Sequence, residues 1–174
     1  MQEQIGRYEI RREIGRGGMA TVYLAYDPRF KRQVEIKVLP RQFTHDTKDL
    51  ARFEHEAQTI GALEHPAIVP VHDFGEYNDA TYLVMRYMAG GSLRDRLRGE
   101  PMPLEQIVPT LMRPPPALDN AHELGIIHRD LKPANIPLDE EGRSYLADFG
   151  IARLAESSHT MTMVGTPAYM SPEQ

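Results

Sequence analysis

The stretch His128 to Asn135 reads HRDLKPAN, and Asp148-Phe149-Gly150 follows it closely. Asparagine and aspartate oxygens, as in Asn135 and Asp148, are the hard ligands that suit Mg²⁺. An aspartate that stays free of metal, such as Asp130, can accept a hydroxyl proton, and a nearby lysine such as Lys132 can neutralise charge on a transferred phosphoryl group. Turn preferences alone would explain any one of these positions, but they do not explain all of them in this order.

The first half of the chain reads mainly as short strands. Val34, Ile36 and Val38 alternate with Glu35 and Lys37, which is the period of a half-buried strand and places Glu35 and Lys37 on one face. Apolar residues at helical spacing predict one helix over residues 46–63, and further strands are predicted over 68–74 and 81–87.

Two features of this half suit phosphate binding, although each is weak alone. Gly15 and Gly17 lie between two predicted strands, where glycines let backbone N–H groups approach an anion. Lys37 lies on a strand and Glu56 on the helix that follows, where a carboxylate would fix the lysine side chain. A plain hairpin and an unrelated lysine and acid would explain these residues equally well.

The second half reads as helical, with one conflict. An apolar stripe from Leu104 to Ala121 keeps one helical face in phase, yet Pro114, Pro115 and Pro116 interrupt it. A short hairpin is predicted at residues 139–142, and Pro137 removes a backbone donor just before it. Strands followed by helices predict an α+β arrangement in two layers or lobes.

Composition excludes several classes of protein. The chain has no cysteine, which rules out disulfide scaffolds, thiolate nucleophiles and cysteine-bound zinc. No apolar run reaches the length of about 18 residues that a transmembrane helix needs, and the N-terminus lacks the pattern of a signal peptide. The net charge of −5, with no basic tail, argues against nucleic acid as a partner. These features are compatible with the cytoplasm.

The ordered motifs resemble those of the eukaryotic-type (Hanks-type) protein kinases, most closely the bacterial serine/threonine protein kinases. The resemblance implies a bilobal α+β fold with an antiparallel-sheet N-lobe that carries one helix. It places a nucleotide-binding N-lobe in residues 1–88 and part of a catalytic C-lobe, including the activation segment, in 89–174. Further C-lobe helices are expected after residue 174. The implied activity is transfer of the γ-phosphoryl group of ATP, with Mg²⁺, to serine or threonine hydroxyls of proteins.

The resemblance also implies a role for each motif residue. Asp130 would be the catalytic base, with Lys132 at the γ-phosphate, and Asn135 and Asp148 would bind Mg²⁺. Lys37 would hold the α- and β-phosphates and pair with Glu56. The other nucleotide-binding positions are the glycine loop, its apolar neighbours, the gatekeeper and the hinge, namely Gly15, Gly17, Gly18, Ile14, Val22, Met85, Arg86 and Met88.

Regulation and partners follow from the same resemblance. Arg129 beside the catalytic aspartate is typical of control by phosphorylation in the activation segment, and Thr160 or Thr162 would be the acceptors. Hydroxyls in a polar loop are equally often without such a role. The resemblance allows a homodimer that phosphorylates these threonines in trans, and Thr166 would help to shape the acceptor site. It also allows a membrane anchor outside this stretch.

Several positions depart from the family pattern. Glu35 stands where the family usually has a small alanine facing adenine, Arg86 stands where a glutamate is common, and the prolines interrupt the helix that should brace the catalytic loop. We therefore expect kinase activity from the parent protein and little or none from these 174 residues alone. The alternative is a pseudokinase or fragment that binds a nucleotide or a partner without turnover.

Overall fold

The computed structural model describes residues 3–17, 20–39, 51, 55, 57–78, 80–98, 101–149 and 167–169. The chain divides into two compact units. Unit 1 comprises Met1–Ala62 and Pro70–Tyr87, and unit 2 comprises Leu63–Val69 and Met88–Gln174. Residues 63–69, which lie before the sequence boundary at residue 88, thus group with unit 2.

Unit 1 is built on a six-stranded antiparallel sheet with the spatial order β1-β2-β3-β4-β6-β5. The strands are β1 (Gln4–Ile5), β2 (Tyr8–Arg16), β3 (Thr21–Asp27), β4 (Arg32–Leu39), β5 (Val71–Tyr77) and β6 (Ala80–Arg86). Residues 51, 55 and 57–61 are helical, and half of the helix predicted over 46–63 lies outside the described residues.

Strand β4 shows the alternation that the sequence predicts. Val34 and Ile36 are fully buried in the core cluster that also contains Tyr8. Glu35 and Lys37 are half-buried. Because successive side chains of a strand point to opposite faces, these two charged residues share the face opposite the core cluster.

The strand predicted over 68–74 was wrong at its start. Strand β5 begins only at Val71, while Ile68 forms a parallel bridge with Leu146 of unit 2. The backbone N–H of Val69 donates to the oxygen of Leu146 at 2.9 Å, and Ile68 and Val69 are buried. Pro70 has no N–H to continue this pairing, so the apolar run is divided between the two units.

Unit 2 carries helices and short turns. In the part of the chain that the structure describes, these are α1 (Leu93–Arg96), α2 (Leu104–Met112), α3 (Pro114–Glu123) and two 3-10 turns (Pro133–Asn135 and Pro167–Tyr169). None of these described helices has the length and apolar character that crossing a bilayer requires. The sheet of unit 1 and the helices of unit 2 confirm the α+β prediction.

The triple proline separates α2 from α3. Pro114 is the first residue of α3, so the prolines occupy the first turn, where backbone N–H groups have no partner within the helix. In an unbroken helix, residue 114 would donate to the carbonyl oxygen of Thr110. Instead, the hydroxyl of Ser144 donates to that oxygen at 2.7 Å. A distant side chain thus satisfies the carbonyl that the proline leaves without a donor.

This replacement bond predicts a stability effect for Ser144→Ala. Ser144 is fully buried and Thr110 is only 6% exposed, so the Thr110 carbonyl would stay buried without its donor. We expect the free energy of unfolding to fall by about 1–2 kcal/mol. Pro114→Ala restores a backbone N–H at the right position, so the loss should be smaller in that background. Urea unfolding of the four proteins in a double-mutant cycle measures this coupling, and equal losses in both backgrounds would contradict it.

The predicted hairpin at residues 139–142 is present. The Gly142 N–H donates to the Asp139 oxygen at 3.0 Å, and the Asp139 N–H donates to the Arg143 oxygen at 3.0 Å. The buried Asp139 carboxylate accepts hydrogen bonds from Nε of Arg143 at 2.6 Å and from the Tyr145 hydroxyl at 3.0 Å. Burial alone would raise the pKa of Asp139, but the hydrogen bonds from Arg143 and Tyr145 outweigh it and lower the pKa.

Pro137 affects this hairpin only locally. It bridges Ser92 in a pair whose hydrogen bonds come from the flanking residues, so no N–H of Pro137 is needed there. On the other side, the Tyr145 N–H donates to the Pro137 oxygen at 2.9 Å. The bond in the reverse direction is the one that the proline ring removes.

Candidate active site

The segment from His128 to Asn135 brings two of the predicted residues, Lys132 and Asn135, to the carboxylate of a third, Asp130. Nζ of Lys132 lies 2.6 Å from Oδ2 of Asp130, whose side chain is 14% exposed. Nδ2 of Asn135 donates to the backbone oxygen of Asp130 at 2.8 Å and to Oδ2 at 3.2 Å. Asp130 is therefore held through both its backbone and its side chain, with a positive charge beside the carboxylate.

The local sequence explains why Asn135 returns to Asp130. Pro133 begins a 3-10 turn, where a fixed φ is favourable and a missing N–H costs little. The Asn135 N–H closes this turn on the Lys132 oxygen at 2.9 Å. The tight turn therefore places the buried Asn135 side chain next to Asp130.

Asp148 is tied to the same segment through its neighbour Ala147. The Ala147 N–H donates to the Asn135 oxygen at 3.1 Å, and the Ala147 oxygen accepts from Nε2 of His128 at 2.9 Å. Asp148 itself has a φ of 62°, in the left-handed region that residues other than glycine rarely adopt. Such backbone strain persists only where surrounding bonds enforce it, and it concentrates at functional sites.

His128 is a buried residue that stabilises this arrangement through its bond to Ala147. It is 3% exposed, and its ring centroid lies 4.7 Å from that of the buried Phe149. Burial lowers the pKa of His128 below its usual value, which favours the neutral ring. The hydrogen bond to the Ala147 oxygen then requires the proton on Nε2.

Arg129 is the second residue of this region with a positive φ, at 65°. The Asp130 N–H donates across it to the His128 oxygen at 2.9 Å and closes a tight three-residue turn. Arg129 itself is half-buried.

Asn135 and Asp148 fit a magnesium ion by their chemistry. Both amide hydrogens of Asn135 Nδ2 are directed to Asp130, so Oδ1 is the atom that remains for a cation. The Asp148 carboxylate supplies the second hard oxygen donor. Two protein ligands of this kind match Mg²⁺, which takes its other ligands from water and substrate phosphates.

The predicted glycine loop lies at the turn between β2 and β3 of unit 1. The Gly17 N–H donates to the Ala20 oxygen at 2.9 Å, which closes the turn. Gly15 is paired in register with Val22, and Ile14 precedes it at a half-buried position. The structure thus places Ile14, Gly15 and Val22 together at one end of the sheet.

The predicted hinge follows β6. Met85 is buried and lies opposite Glu35 in the sheet register. The Arg86 N–H donates to the Pro70 oxygen at 3.0 Å, and its side chain is exposed. Met88 is buried and belongs to unit 2. The backbone N–H of Arg86 is therefore already used within unit 1.

Some predicted residues cannot be compared with the structure. Gly18, Glu56, Thr160, Thr162 and Thr166 lie outside the described residues. The expected pairing of Lys37 with Glu56, and the expected acceptors of the activation segment, therefore stay predictions.

Gly90 contributes to the packing of unit 2, although the sequence analysis did not single it out. A Cβ atom at Gly90 would lie 2.2 Å from the Asp139 oxygen and 2.7 Å from the Leu138 oxygen. The Gly90 N–H also donates to the Leu138 oxygen at 2.9 Å. The adjacent glycines at 90 and 91 were the available signal, since paired glycines often mark close backbone approach.

The chain matches known proteins along most of its length. The family model described as protein kinase domain matches residues 8–174. A probable serine/threonine-protein kinase of Streptomyces coelicolor is 45% identical, with 97% of this chain and 27% of that protein covered. The serine/threonine-protein kinase PrkC of Bacillus subtilis is 40% identical, with the same coverage of 97% and 27%. The chain thus spans about a quarter of the length of these curated relatives.

A similar fold is found among solved structures. The kinase domain of Mycobacterium tuberculosis PknI superposes with a TM-score of 0.74 and is 34% identical in sequence. The match covers 87% of this chain and 61% of that kinase domain. These values support a common fold together with common ancestry.

Proposed function

Because this chain belongs to the protein kinase family, we propose that the protein transfers the γ-phosphoryl group of ATP to serine and threonine hydroxyls of proteins. One observation carries the proposal beyond family membership. The Asp130 carboxylate is held by Lys132 at 2.6 Å and by Asn135 at 3.2 Å in a strained, hydrogen-bonded loop. A carboxylate fixed in this way is prepared to orient and accept a hydroxyl proton.

The roles in unit 2 follow from this arrangement. Asp130 orients the acceptor hydroxyl and takes its proton, while Lys132 neutralises charge on the transferred group. Asn135 Oδ1 and the Asp148 carboxylate hold Mg²⁺, which when bound neutralises the phosphate oxygens. The bonds through Ala147 keep these two ligands in a fixed relation to each other. Catalysis then rests on positioning and charge stabilisation.

Unit 1 supplies all the nucleotide-binding residues of this proposal except Met88, which belongs to unit 2. Gly15, Gly17 and Gly18 cover the phosphates, and Lys37 holds the α- and β-phosphates with Glu56 as its partner. Apolar contacts to adenine come from Ile14 and Val22, and the remaining adenine-side positions are Met85, Arg86 and Met88. Since the Arg86 N–H donates to Pro70, other hinge backbone groups make the hydrogen bonds to adenine.

Arg129 is the residue through which phosphorylation would regulate the activity in this proposal. Its backbone is strained beside the catalytic aspartate, and a phosphate on Thr160 or Thr162 would give its guanidinium a partner. Trans-phosphorylation of these threonines would require two chains to meet, and Thr166 would shape the acceptor site. A cytoplasmic location of this catalytic portion would give it access to ATP.

The alternative of a binding module without turnover finds no support in the comparisons. The relatives described above are named serine/threonine-protein kinases. The residue types for proton transfer and for metal binding stand together in unit 2. Among the departures from the family pattern, Glu35 bears most directly on the nucleotide site.

Removal of divalent cations should abolish the proposed reaction. We expect the whole protein to incorporate γ-labelled phosphate from ATP into serine or threonine in the presence of Mg²⁺. An excess of EDTA should stop incorporation, because Asn135 and Asp148 alone cannot neutralise the phosphates. Phosphoamino-acid analysis after acid hydrolysis identifies the acceptor, with added Mg²⁺ as the rescue control. Labelling that is unaffected by EDTA, or confined to tyrosine, would contradict the proposal.

A further inference from the structure

Arg113 joins two segments of unit 2 that are far apart in the chain. Its Nη2 group donates a hydrogen bond to the backbone oxygen of Pro66. The same guanidinium lies over the ring of Tyr145, with Cζ 4.8 Å from the ring centroid. Tyr145 is only 5% exposed, which strengthens a cation–π contact because the ring is removed from water. One side chain therefore binds both segments.

The two segments pair with each other immediately beyond this contact. The Leu146 N–H donates to the Ala67 oxygen at 2.7 Å, and the Val69 N–H donates to the Leu146 oxygen at 2.9 Å. These bonds form a parallel bridge. Arg113 binds the residue that directly precedes Ala67 and the residue that directly precedes Leu146. It therefore closes the bridge at its N-terminal end.

The bridge leads directly into Asp148. The next residue, Ala147, donates its N–H to the Asn135 oxygen at 3.1 Å, and its own oxygen accepts from Nε2 of His128 at 2.9 Å. A backbone that is bonded at residues 146 and 147 leaves little freedom to residue 148, whose φ of 62° persists only where its surroundings enforce it. The Arg113 contact thus lies at the start of the short segment that ends at the proposed magnesium ligand.

We propose that Arg113 is a positioning residue for Asp148, because it holds the bridge closed and thereby fixes the carboxylate where it binds Mg²⁺. This inference rests on the proposed function, since it takes Asp148 as a magnesium ligand. A cation site binds less tightly when one of its ligands can move, because the ligand must lose that freedom on binding. Neither partner of Arg113 is itself a ligand, so Arg113 acts through the backbone and does not touch the metal.

Two substitutions at Arg113 separate its contacts. Arg113→Met keeps an aliphatic stem but removes both the hydrogen bond and the cation–π contact. Arg113→Lys keeps the charge and a donor, but one ammonium group cannot replace the planar guanidinium at both partners. Arg98→Met is the matched control, because Arg98 is an exposed arginine of the same unit and its ion pair with Asp95 is also exposed.

The first readout needs neither metal nor nucleotide. Hydrogen exchange followed by NMR reports the opening of the bridge at the Leu146 N–H. The Leu138 N–H, which donates to the Gly91 oxygen at 2.8 Å, is the internal reference. We expect Arg113→Met to raise the ratio of Leu146 to Leu138 exchange about tenfold, as the combined loss of a charged hydrogen bond and a cation–π contact warrants. Arg113→Lys should give a smaller rise, and Arg98→Met none.

The second readout is the Mg²⁺ requirement of phosphoryl transfer by the whole protein at saturating ATP. The free Mg²⁺ concentration that gives half the maximal rate should rise about three- to tenfold in Arg113→Met, less than is typical for a residue that bonds directly to a metal ligand. KM for the protein substrate should change by less than about twofold. A residue that only stabilised the fold would lower the amount of active protein and would leave this Mg²⁺ concentration unchanged.

The outcomes separate this inference from the proposed function. If the exchange ratio does not rise in Arg113→Met, the inference fails and the kinase proposal stands. The same holds if the ratio rises while the Mg²⁺ requirement stays within about twofold of the wild type. If Arg113→Met does not fold, Arg113→Lys decides by the same two measurements.

Asp148→Asn tests the proposed magnesium site itself. The amide lacks the negative charge of the carboxylate, so this variant should raise the Mg²⁺ requirement more than either substitution at Arg113. If Asp148→Asn keeps the wild-type Mg²⁺ requirement, the proposed magnesium site fails, and the inference fails with it.

Discussion

Asp130→Asn is expected to lower the rate of phosphoryl transfer by about a thousandfold, within the range typical for loss of a positioned acid–base group. The amide has nearly the same shape as the carboxylate, but it cannot accept the hydroxyl proton or carry the charge that holds Lys132 at 2.6 Å. The Asn135 bond to the backbone oxygen of residue 130 survives the change. The loop should therefore keep its conformation, and the loss should appear in kcat while KM for ATP changes little.

The matched control is Asp119→Asn, an identical change at an exposed position of α3. Initial rates with γ-labelled ATP and a protein substrate give kcat for the wild type and both variants, and urea unfolding checks that stability is unchanged. Asp119→Asn should keep wild-type activity. An Asp130→Asn variant that works within twofold of the wild type would remove Asp130 from the proposed mechanism.

Gly90→Ala is expected to destabilise unit 2 by about 3 kcal/mol, near the upper end of what overpacking costs. The added Cβ would lie 2.2 Å from the backbone oxygen of Asp139 and 2.7 Å from that of Leu138. These are backbone atoms within hydrogen-bonded pairs, so neither can rotate away as a side chain would. Either the Gly90 segment or the hairpin has to move, and the hairpin leads directly to Ala147 and Asp148.

Gly61→Ala is the matched control, because a Cβ at residue 61 meets nothing within 4 Å. Residue 61 is helical, so this change should leave stability unaltered or raise it by up to about 1 kcal/mol. Denaturant midpoints and m-values for the three proteins distinguish the two sites. A Gly90→Ala midpoint equal to that of the wild type would show that the two backbones do not need this close approach.

The pattern of residues within short segments predicted much of the fold, because strand alternation and helix breaks depend on residues that are neighbours in the chain. The alternation in β4 follows from strand geometry, and the break between α2 and α3 follows from prolines that lack an N–H group. The same holds for the segment from Asp130 to Asn135, where residues five apart meet within one tight turn. A short stretch of sequence is therefore enough to predict contacts of this kind.

The predictions from sequence were wrong or incomplete where a residue pairs with another residue that is distant in the chain. Residues 68 and 69 look like the start of a strand, yet they pair with Leu146, a residue that no local pattern could indicate. In the sequence, Ser144 is an ordinary hairpin residue. Only the structure shows that its hydroxyl donates to the Thr110 carbonyl, which has no donor within the helix.

By itself, the sequence determined the α+β class and the family, and it indicated the residues that we propose for phosphoryl transfer. These depend on residue type and on short spacings, which the chain displays directly. Only the tertiary structure decided that Gly90 lies against the hairpin, that residues 63–69 group with unit 2, and that Arg113 joins Pro66 to Tyr145. Each of these is a contact between segments far apart in the chain, and burial and close packing, rather than local preference, determine which segments meet.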